Sequence, residues 1–162
     1  MLFFALFVHV FSLRLAGGII QSRGERRKMY YFAYGSNLSR KQMSERCPDA
    51  QPKFIVTLPN HKLIFAGRSK KRWNGGVASI KPSKGEKVVG AIYEISEECL
   101  SSLDRCEGYP TVYDRMNVTL FTELGDSVEA ITYVKVKQSD ETQPARKYLD
   151  IIQQGYKDWG IV

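Results

Sequence analysis

The chain has 162 residues, 43% apolar and 12% aromatic, which allows one domain with a sizeable core and excludes a largely disordered body. Its formal charge is +7, but the first 28 residues hold five Lys or Arg and one Glu; the remainder has 19 basic against 16 acidic residues, an ordinary +3 that gives no ground for nucleic-acid binding. Cys47, Cys99 and Cys106 are an odd count without CxxC spacing, and His9 and His61 lie far apart, which argues against a disulfide scaffold, a zinc site or a histidine triad and for a reduced compartment.

Residues 1–28 differ in kind from the rest. Met1 to Leu13 is almost wholly apolar, broken by His9 and Ser12; Arg14 follows, and then Arg23-Gly24-Glu25-Arg26-Arg27-Lys28. A secretory signal would have basic residues before the apolar run, and none are there. The stretch to Ile20 approaches spanning length with basic residues after it, but Arg14 and two glycines interrupt it. We read the leader as lying outside the natural protein, with Met29 as the start and residues 29–162 as the domain.

The chain is organised around Tyr30-Tyr31-Phe32-Ala33-Tyr34-Gly35-Ser36-Asn37-Leu38. The five aromatic-rich residues read as a buried strand, and Gly-Ser-Asn breaks it. Ser39 caps a helix running to Arg46. A strand, a small-residue turn and a helix start leave backbone N–H groups pointing outward, a ready site for a carboxylate or phosphate. The same pattern also serves as a plain strand-to-helix connection.

Phe54–Leu58 reads as a strand ending at Pro59-Asn60, and His61–Ala66 as a half-buried strand. Between Gly67 and Gly76 lie Arg68, Lys70, Lys71 and Arg72 beside Trp73, read as a solvated loop near a pocket mouth rather than an RNA contact. Gly75-Gly76 permits close approach of a ligand or a neighbouring strand. Val77–Ile80 returns to sheet, Pro82–Glu86 is a turn, and Lys87–Ile95 is the strongest strand.

Ser96 begins a helix with Glu97 and Glu98 in its first turn; Leu100, Leu103 and Cys106 give it an apolar face, and Gly108 stops it. That leaves Glu107 at the negative helix end among apolar or small neighbours, both of which raise a carboxyl pKa. The alternative is a surface Glu paired with Arg105. Tyr113–Phe121 and Val128–Val134 alternate as a hairpin around Gly125-Asp126. After the polar linker Gln138–Gln143, Pro144 begins a last helix whose Tyr148, Ile151, Ile152, Tyr156 and Trp159 recur at three- and four-residue steps. The sequence contains no P-loop, dinucleotide fingerprint or metal-ligand cluster.

Tyr31-Phe32-Ala33-Tyr34-Gly35-Ser36-Asn37-Leu38 resembles the opening motif of the γ-glutamylcyclotransferase-like family. Leu103-Asp104-Arg105-Cys106-Glu107-Gly108-Tyr109 resembles its second motif, and Trp73–Ile80 its Gly-Gly strand. The order and approximate spacing agree from Met29 to Ile161. The resemblance implies an α+β fold, a small mixed β-barrel with flanking helices, and a pocket at the Tyr34–Leu38 turn. It implies Glu107 as the catalytic acid/base, with Tyr34, Gly35, Ser36, Asn37, Leu38, Ser39, Gly75, Gly76, Tyr113 and Tyr148 at the substrate.

The implied reaction releases 5-oxoproline from γ-glutamyl amino acids or amides by attack of the substrate's own α-amine. It uses no cofactor and no metal. The implied setting is a cytoplasmic monomer or homodimer of glutathione metabolism, with a small-molecule γ-glutamyl substrate and neither nucleic acid nor, for the domain, a membrane as partner. Two alternatives keep the same fold: a cyclotransferase for another γ-glutamyl carrier in a biosynthetic pathway, and a non-enzymatic small-ligand-binding protein. For the leader, the mass of the natively produced chain is the check: a product beginning at Met29 is expected, and retention of residues 1–28 overturns that reading.

Overall fold

The structure, a computed structural model, describes residues 28–69, 72–138 and 141–161; the leader up to residue 27 lies outside the described residues. It is α+β, as the resemblance implies. Five strands, β1 (Met29–Ala33), β2 (Gln51–Ser69), β3 (Gly75–Ile95), β4 (Tyr113–Phe121) and β5 (Ser127–Lys135), close a barrel in the order β1-β3-β2-β4-β5. Three helices flank it: α1 (Arg40–Arg46), α2 (Glu97–Glu107) and α3 (Arg146–Trp159). Neighbouring strands are antiparallel except β1 and β5, which meet in parallel at Tyr31 and Ile131. The buried Thr132 hydroxyl donates to the Phe32 carbonyl at 2.8 Å across that closure, so a polar side chain in the barrel wall is satisfied. Phe32, Val56, Ile80, Ile92, Ile95 and Leu120 are buried in the core.

The long ribbon of β2 and β3 differs from the sequence reading. Pro59-Asn60 does not end a strand, and Pro82–Glu86 is not a free turn. Pro59 pairs with Lys87 and His61 with Pro82, so residues 83–86 form an outward irregularity within one continuous ladder. Asn60 takes a positive φ of 54° there, and its side chain accepts from the Gly85 N–H at 3.1 Å. Local turn chemistry is thus used inside a ribbon whose register is set on both sides by apolar pairs.

Cys47, which caps α1, and Cys99, in the first turn of α2, form a disulfide. This corrects the expectation of unpaired cysteines and removes the cysteine argument for a reduced compartment. The partners are 52 residues apart in sequence, and packing of α1 on α2 brings them together. Cys106, expected on the apolar face of α2, is exposed; Cys99, Leu100 and Leu103 form the buried face. Ser96 caps α2 by accepting from the Cys99 N–H, and Gly108 ends it in the left-handed conformation at φ 67°. Among the described residues no helix is long and apolar enough to cross a membrane.

α3 fixes the turn after β1. The indole of Trp159 donates to the Leu38 carbonyl at 2.9 Å, and the buried Tyr93 hydroxyl reaches the same oxygen at 3.3 Å. Asp158 accepts from the Arg40 N–H at 3.0 Å. The close approach is at Gly155, where a Cβ would stand 2.5 Å from Leu38 Cβ and 2.6 Å from the Ser39 nitrogen. Helix propensity favours Ala over Gly by about 1 kcal/mol, but here there is no room for the methyl. Gly155→Ala is therefore expected to destabilise the fold by about 1–3 kcal/mol, the usual range for overpacking. Chemical denaturation checks this; a stabilised variant would show that the turn does not pack on α3 as described.

Candidate active site

The strand-to-helix connection is a tight 3₁₀ turn, Ser36–Leu38, closed by Leu38 N–H to the Gly35 carbonyl at 3.0 Å and Ser39 N–H to the Ser36 carbonyl at 3.1 Å. The amides of Ser36 and Asn37 precede the first bonded N–H of such a turn and are the ones left for an external acceptor. Ser39 caps α1 by accepting from the Gln42 N–H. A cavity of about 40 Å³ opens beside the turn, lined by Tyr31, Tyr34, Gly35, Ser36, Asn37, Ala78, Glu107, Tyr113, Tyr133 and Tyr148.

Glu107 is the only carboxylate in that lining. Its Oε1 accepts from Arg46 Nη1 at 2.8 Å and from Asn37 Nδ2 at 3.2 Å. The pair is largely enclosed, with 8% of the Arg46 side chain and 16% of the Glu107 side chain exposed. Arg46 Nη1 also donates to Asn37 Oδ1 at 2.8 Å, and Gln42 Nε2 to Ser36 Oγ at 2.8 Å. Asn37 Nδ2 further donates to the Tyr31 hydroxyl at 2.8 Å. The buried Arg46 Nε has no hydrogen-bond partner among the described residues.

Burial pushes the Glu107 carboxyl above its ordinary value, while the Arg46 charge and the bonds from Asn37 and Arg46 oppose the rise. The helix-end argument from the sequence and this burial act in the same direction, but burial leads. Glu107 does not pair with Arg105, whose guanidinium donates to Ser102 Oγ at 2.8 Å.

The surrounding hydroxyls are held differently. Tyr34 donates to the Tyr133 carbonyl at 2.6 Å, and Tyr113 to the Ala78 carbonyl at 2.8 Å. The Tyr148 hydroxyl accepts from the Ala78 N–H at 3.1 Å. Burial raises the pKa of Tyr31, Tyr34, Tyr113 and Tyr148, so all four stay protonated near neutrality. The cavity thus holds one carboxylate that can exchange a proton among hydroxyls that cannot act as bases. Among the described residues no three His, Cys, Asp or Glu side chains converge to hold a metal ion.

Of the residues singled out from sequence, Tyr34, Gly35, Ser36, Asn37, Tyr113 and Tyr148 meet Glu107 around this cavity. Leu38 and Ser39 do not line it: Leu38 is core, and Ser39 is a helix cap. Gly75 and Gly76 are also placed elsewhere. A Cβ on Gly75 would meet the Ala145 nitrogen at 2.6 Å, and one on Gly76 the Thr142 carbonyl oxygen at 2.1 Å. Their lack of side chain admits the segment before α3. Sequence reasoning missed Arg46, Gln42, Tyr31, Ala78 and Tyr133. Gln42 and Arg46 are four residues apart on α1, which places both on one helix face, and that spacing was the available signal.

A family model described as gamma-glutamyl cyclotransferase, AIG2-like, matches residues 31–159. The gamma-glutamylcyclotransferase of Bos taurus is 33% identical over 135 residues, covering 81% of this chain and 71% of its own; the Homo sapiens protein of the same name is 32% identical with the same coverage. A solved structure described as a gamma-glutamyl cyclotransferase superposes with a TM-score of 0.79 at 29% identity, over 83% of this chain and 82% of that one.

The pairing of Glu107 with Arg46 carries a titration prediction. The folded chain holds the Glu107 proton more tightly than the unfolded chain. This group's contribution to stability therefore declines as pH rises from the ordinary glutamate value through the raised one. In Arg46→Gln the cation that favours the ionised form is gone, so the Glu107 midpoint is expected to move higher still. Carboxyl ¹³C titration of both proteins reads this, and an unmoved or lowered midpoint contradicts the pairing.

Proposed function

Since the chain belongs to the gamma-glutamyl cyclotransferase, AIG2-like family, we propose that this enzyme releases 5-oxoproline from γ-glutamyl amino acids or γ-glutamyl amides. The observation that carries the reading is the single enclosed carboxylate, Glu107, among hydroxyls that burial keeps protonated. The substrate brings an α-ammonium, an α-carboxylate and a γ-amide. The amides of Ser36 and Asn37 hold a substrate oxygen, and the Tyr148 hydroxyl, which accepts from Ala78, directs its own proton to another.

Glu107 takes a proton from the ammonium. The freed amine then attacks its own γ-carbonyl carbon, and the lactam ring closes. The bond to the departing nitrogen breaks as Glu107 returns the proton to it, and the second proton that the attacking nitrogen sheds on becoming the lactam N–H follows the same route, so the amine leaves as an ammonium. No water is consumed, and nucleophile and electrophile belong to one molecule, so holding the chain folded replaces a second reactant. Burial that raises the carboxyl above its ordinary value makes it the stronger base, which suits the half of this exchange in which it accepts a proton.

Arg46 and Asn37 position the carboxylate through Oε1. Glu107→Gln keeps the shape and loses the proton exchange, so 5-oxoproline release should fall at least ~10²-fold. Near-normal turnover in a folded Glu107→Gln protein would rule out this role.

A further inference from the structure

Beside the inner cavity lies an outer one of about 310 Å³, and the two share Ser36, Glu107, Tyr113 and Tyr148. A γ-glutamyl group seated against the turn therefore points its departing half outward into this space. The outer wall carries five cations, Arg46, Arg68, Arg72, Arg105 and Lys135, and its only carboxylate is Glu107. Arg46 is committed to Glu107.

Among the described residues none of the other four stands in an ion pair. Arg68 donates to Asn74 Oδ1 at 3.0 Å, and Arg105 to Ser102 Oγ, both neutral acceptors. The Arg72 guanidinium lies 4.9 Å from the centre of the Trp73 ring, and the Lys135 amine 5.4 Å from that of Tyr113. The nearby Asp104 is engaged by Arg115 and by the Tyr133 hydroxyl.

Lys135 is held in place rather than free in solvent. Its stem runs over Gly67, where a Cβ would stand 2.6 Å from Lys135 Cε. Burial pulls its amine below the ordinary value, with no anion to offset that. Four cations line one cavity with none in a direct ion pair, Arg72 acting on Glu107 and Arg105 on Asp104 only by longer-range attraction; they repel one another and are relieved by an anionic guest. The α-carboxylate of an ordinary departing amino acid supplies one charge; the wall offers more.

We propose that this outer cavity receives the departing half of the substrate and selects a departing amino acid of the aspartate or glutamate type, with two carboxylates, over a neutral one. The inference rests on the cyclotransferase reading above. In the step, the α-nitrogen bonds to the γ-carbonyl carbon and the carbon–nitrogen bond to the departing amino acid breaks. The two protons that the α-ammonium sheds on becoming the lactam N–H pass in turn through Glu107 to the departing nitrogen, and the dicarboxylate leaves intact as its ammonium form.

The test is 5-oxoproline release by the full chain from γ-glutamyl-aspartate and γ-glutamyl-glutamate, each against its amide counterpart, γ-glutamyl-asparagine or γ-glutamyl-glutamine. Each pair differs in one charge and hardly in shape. The acidic member should have the higher kcat/KM by about tenfold or more, the scale of one hydrogen bond to a charged group. The preference should shrink with added salt and collapse toward unity in Arg68→Gln/Arg72→Gln, chiefly through KM of the acidic member. Equal kcat/KM within each pair overturns the selection while leaving the cyclotransferase reading in force. Absence of 5-oxoproline from all four substrates overturns the γ-glutamyl amino acid half of that reading and this inference with it, and release from a simple γ-glutamyl amine under the same conditions shows whether the cyclotransferase reading itself survives.

Discussion

An enclosed carboxylate is tolerable only when it is paired, and the site is arranged around how Glu107 is paired. Removing one partner from a buried ion pair typically costs about 3–5 kcal/mol, because the remaining charge is left uncompensated. Three separate elements therefore have to arrive together: the end of α2, which carries Glu107; the end of α1, which carries Arg46; and the 3₁₀ turn, which carries Asn37. Each has its own local device. Ser39 starts α1, Ser96 starts α2, and Gly108 ends α2 one residue after the carboxylate. The Cys47–Cys99 disulfide joins the two helices at the residue after Arg46.

The barrel contributes rigidity where the turn leaves it. β1 is held by β3 on one side and by β5 on the other, so the turn hangs from a strand with little freedom. α3 closes from outside, with the Leu38 carbonyl accepting from Trp159 and Gly155 giving the backbone room. The tyrosines extend this scaffold into the cavity. Tyr34 and Tyr113 spend their protons on backbone carbonyls of Tyr133 and Ala78, which fixes their rings and leaves flat walls. A hydroxyl that burial keeps protonated can donate or accept a hydrogen bond and adds no second anion beside Glu107.

What was legible in the sequence was local. The strand broken before Gly35, the caps Ser39 and Ser96, the stop at Gly108 and the hairpin of β4 and β5 each follow from a few adjacent residues, and the structure has them, with β1 ending at Ala33. The barrel was legible through the resemblance rather than through periodicity. What was not legible depends on residues far apart. Pro82 and Asn60 carry turn chemistry, yet the pairing of β2 with β3 on both sides absorbs them into one ribbon. Cys47 and Cys99 meet only because α1 packs on α2. Gly75 and Gly76 signal close approach without saying of what, and the visitor is the segment before α3. In helix α3, Gly155 is a propensity defect on sequence grounds and a packing requirement in the fold.

The two cavities divide the chemistry between kinds of residue. The inner one is built from β1, its turn, the end of α2 and the start of α3, with Ala78 of β3, Tyr113 of β4 and Tyr133 of β5 completing its wall. The outer one is rimmed by Arg68 and Arg72, which are exposed, together with Arg105 and Lys135. A change at the rim alters the charge met by whatever extends from the inner cavity but moves no core atom. A change at Asn37 or Arg46 removes a hydrogen bond to the Glu107 carboxylate itself. On the cyclotransferase reading proposed above, intramolecular attack supplies the nucleophile, and discrimination between substrates then has little to act on in the glutamyl half, which is the same in all of them. It then falls to the departing half, and hence to the outer rim, where Arg68 and Arg72 are exposed.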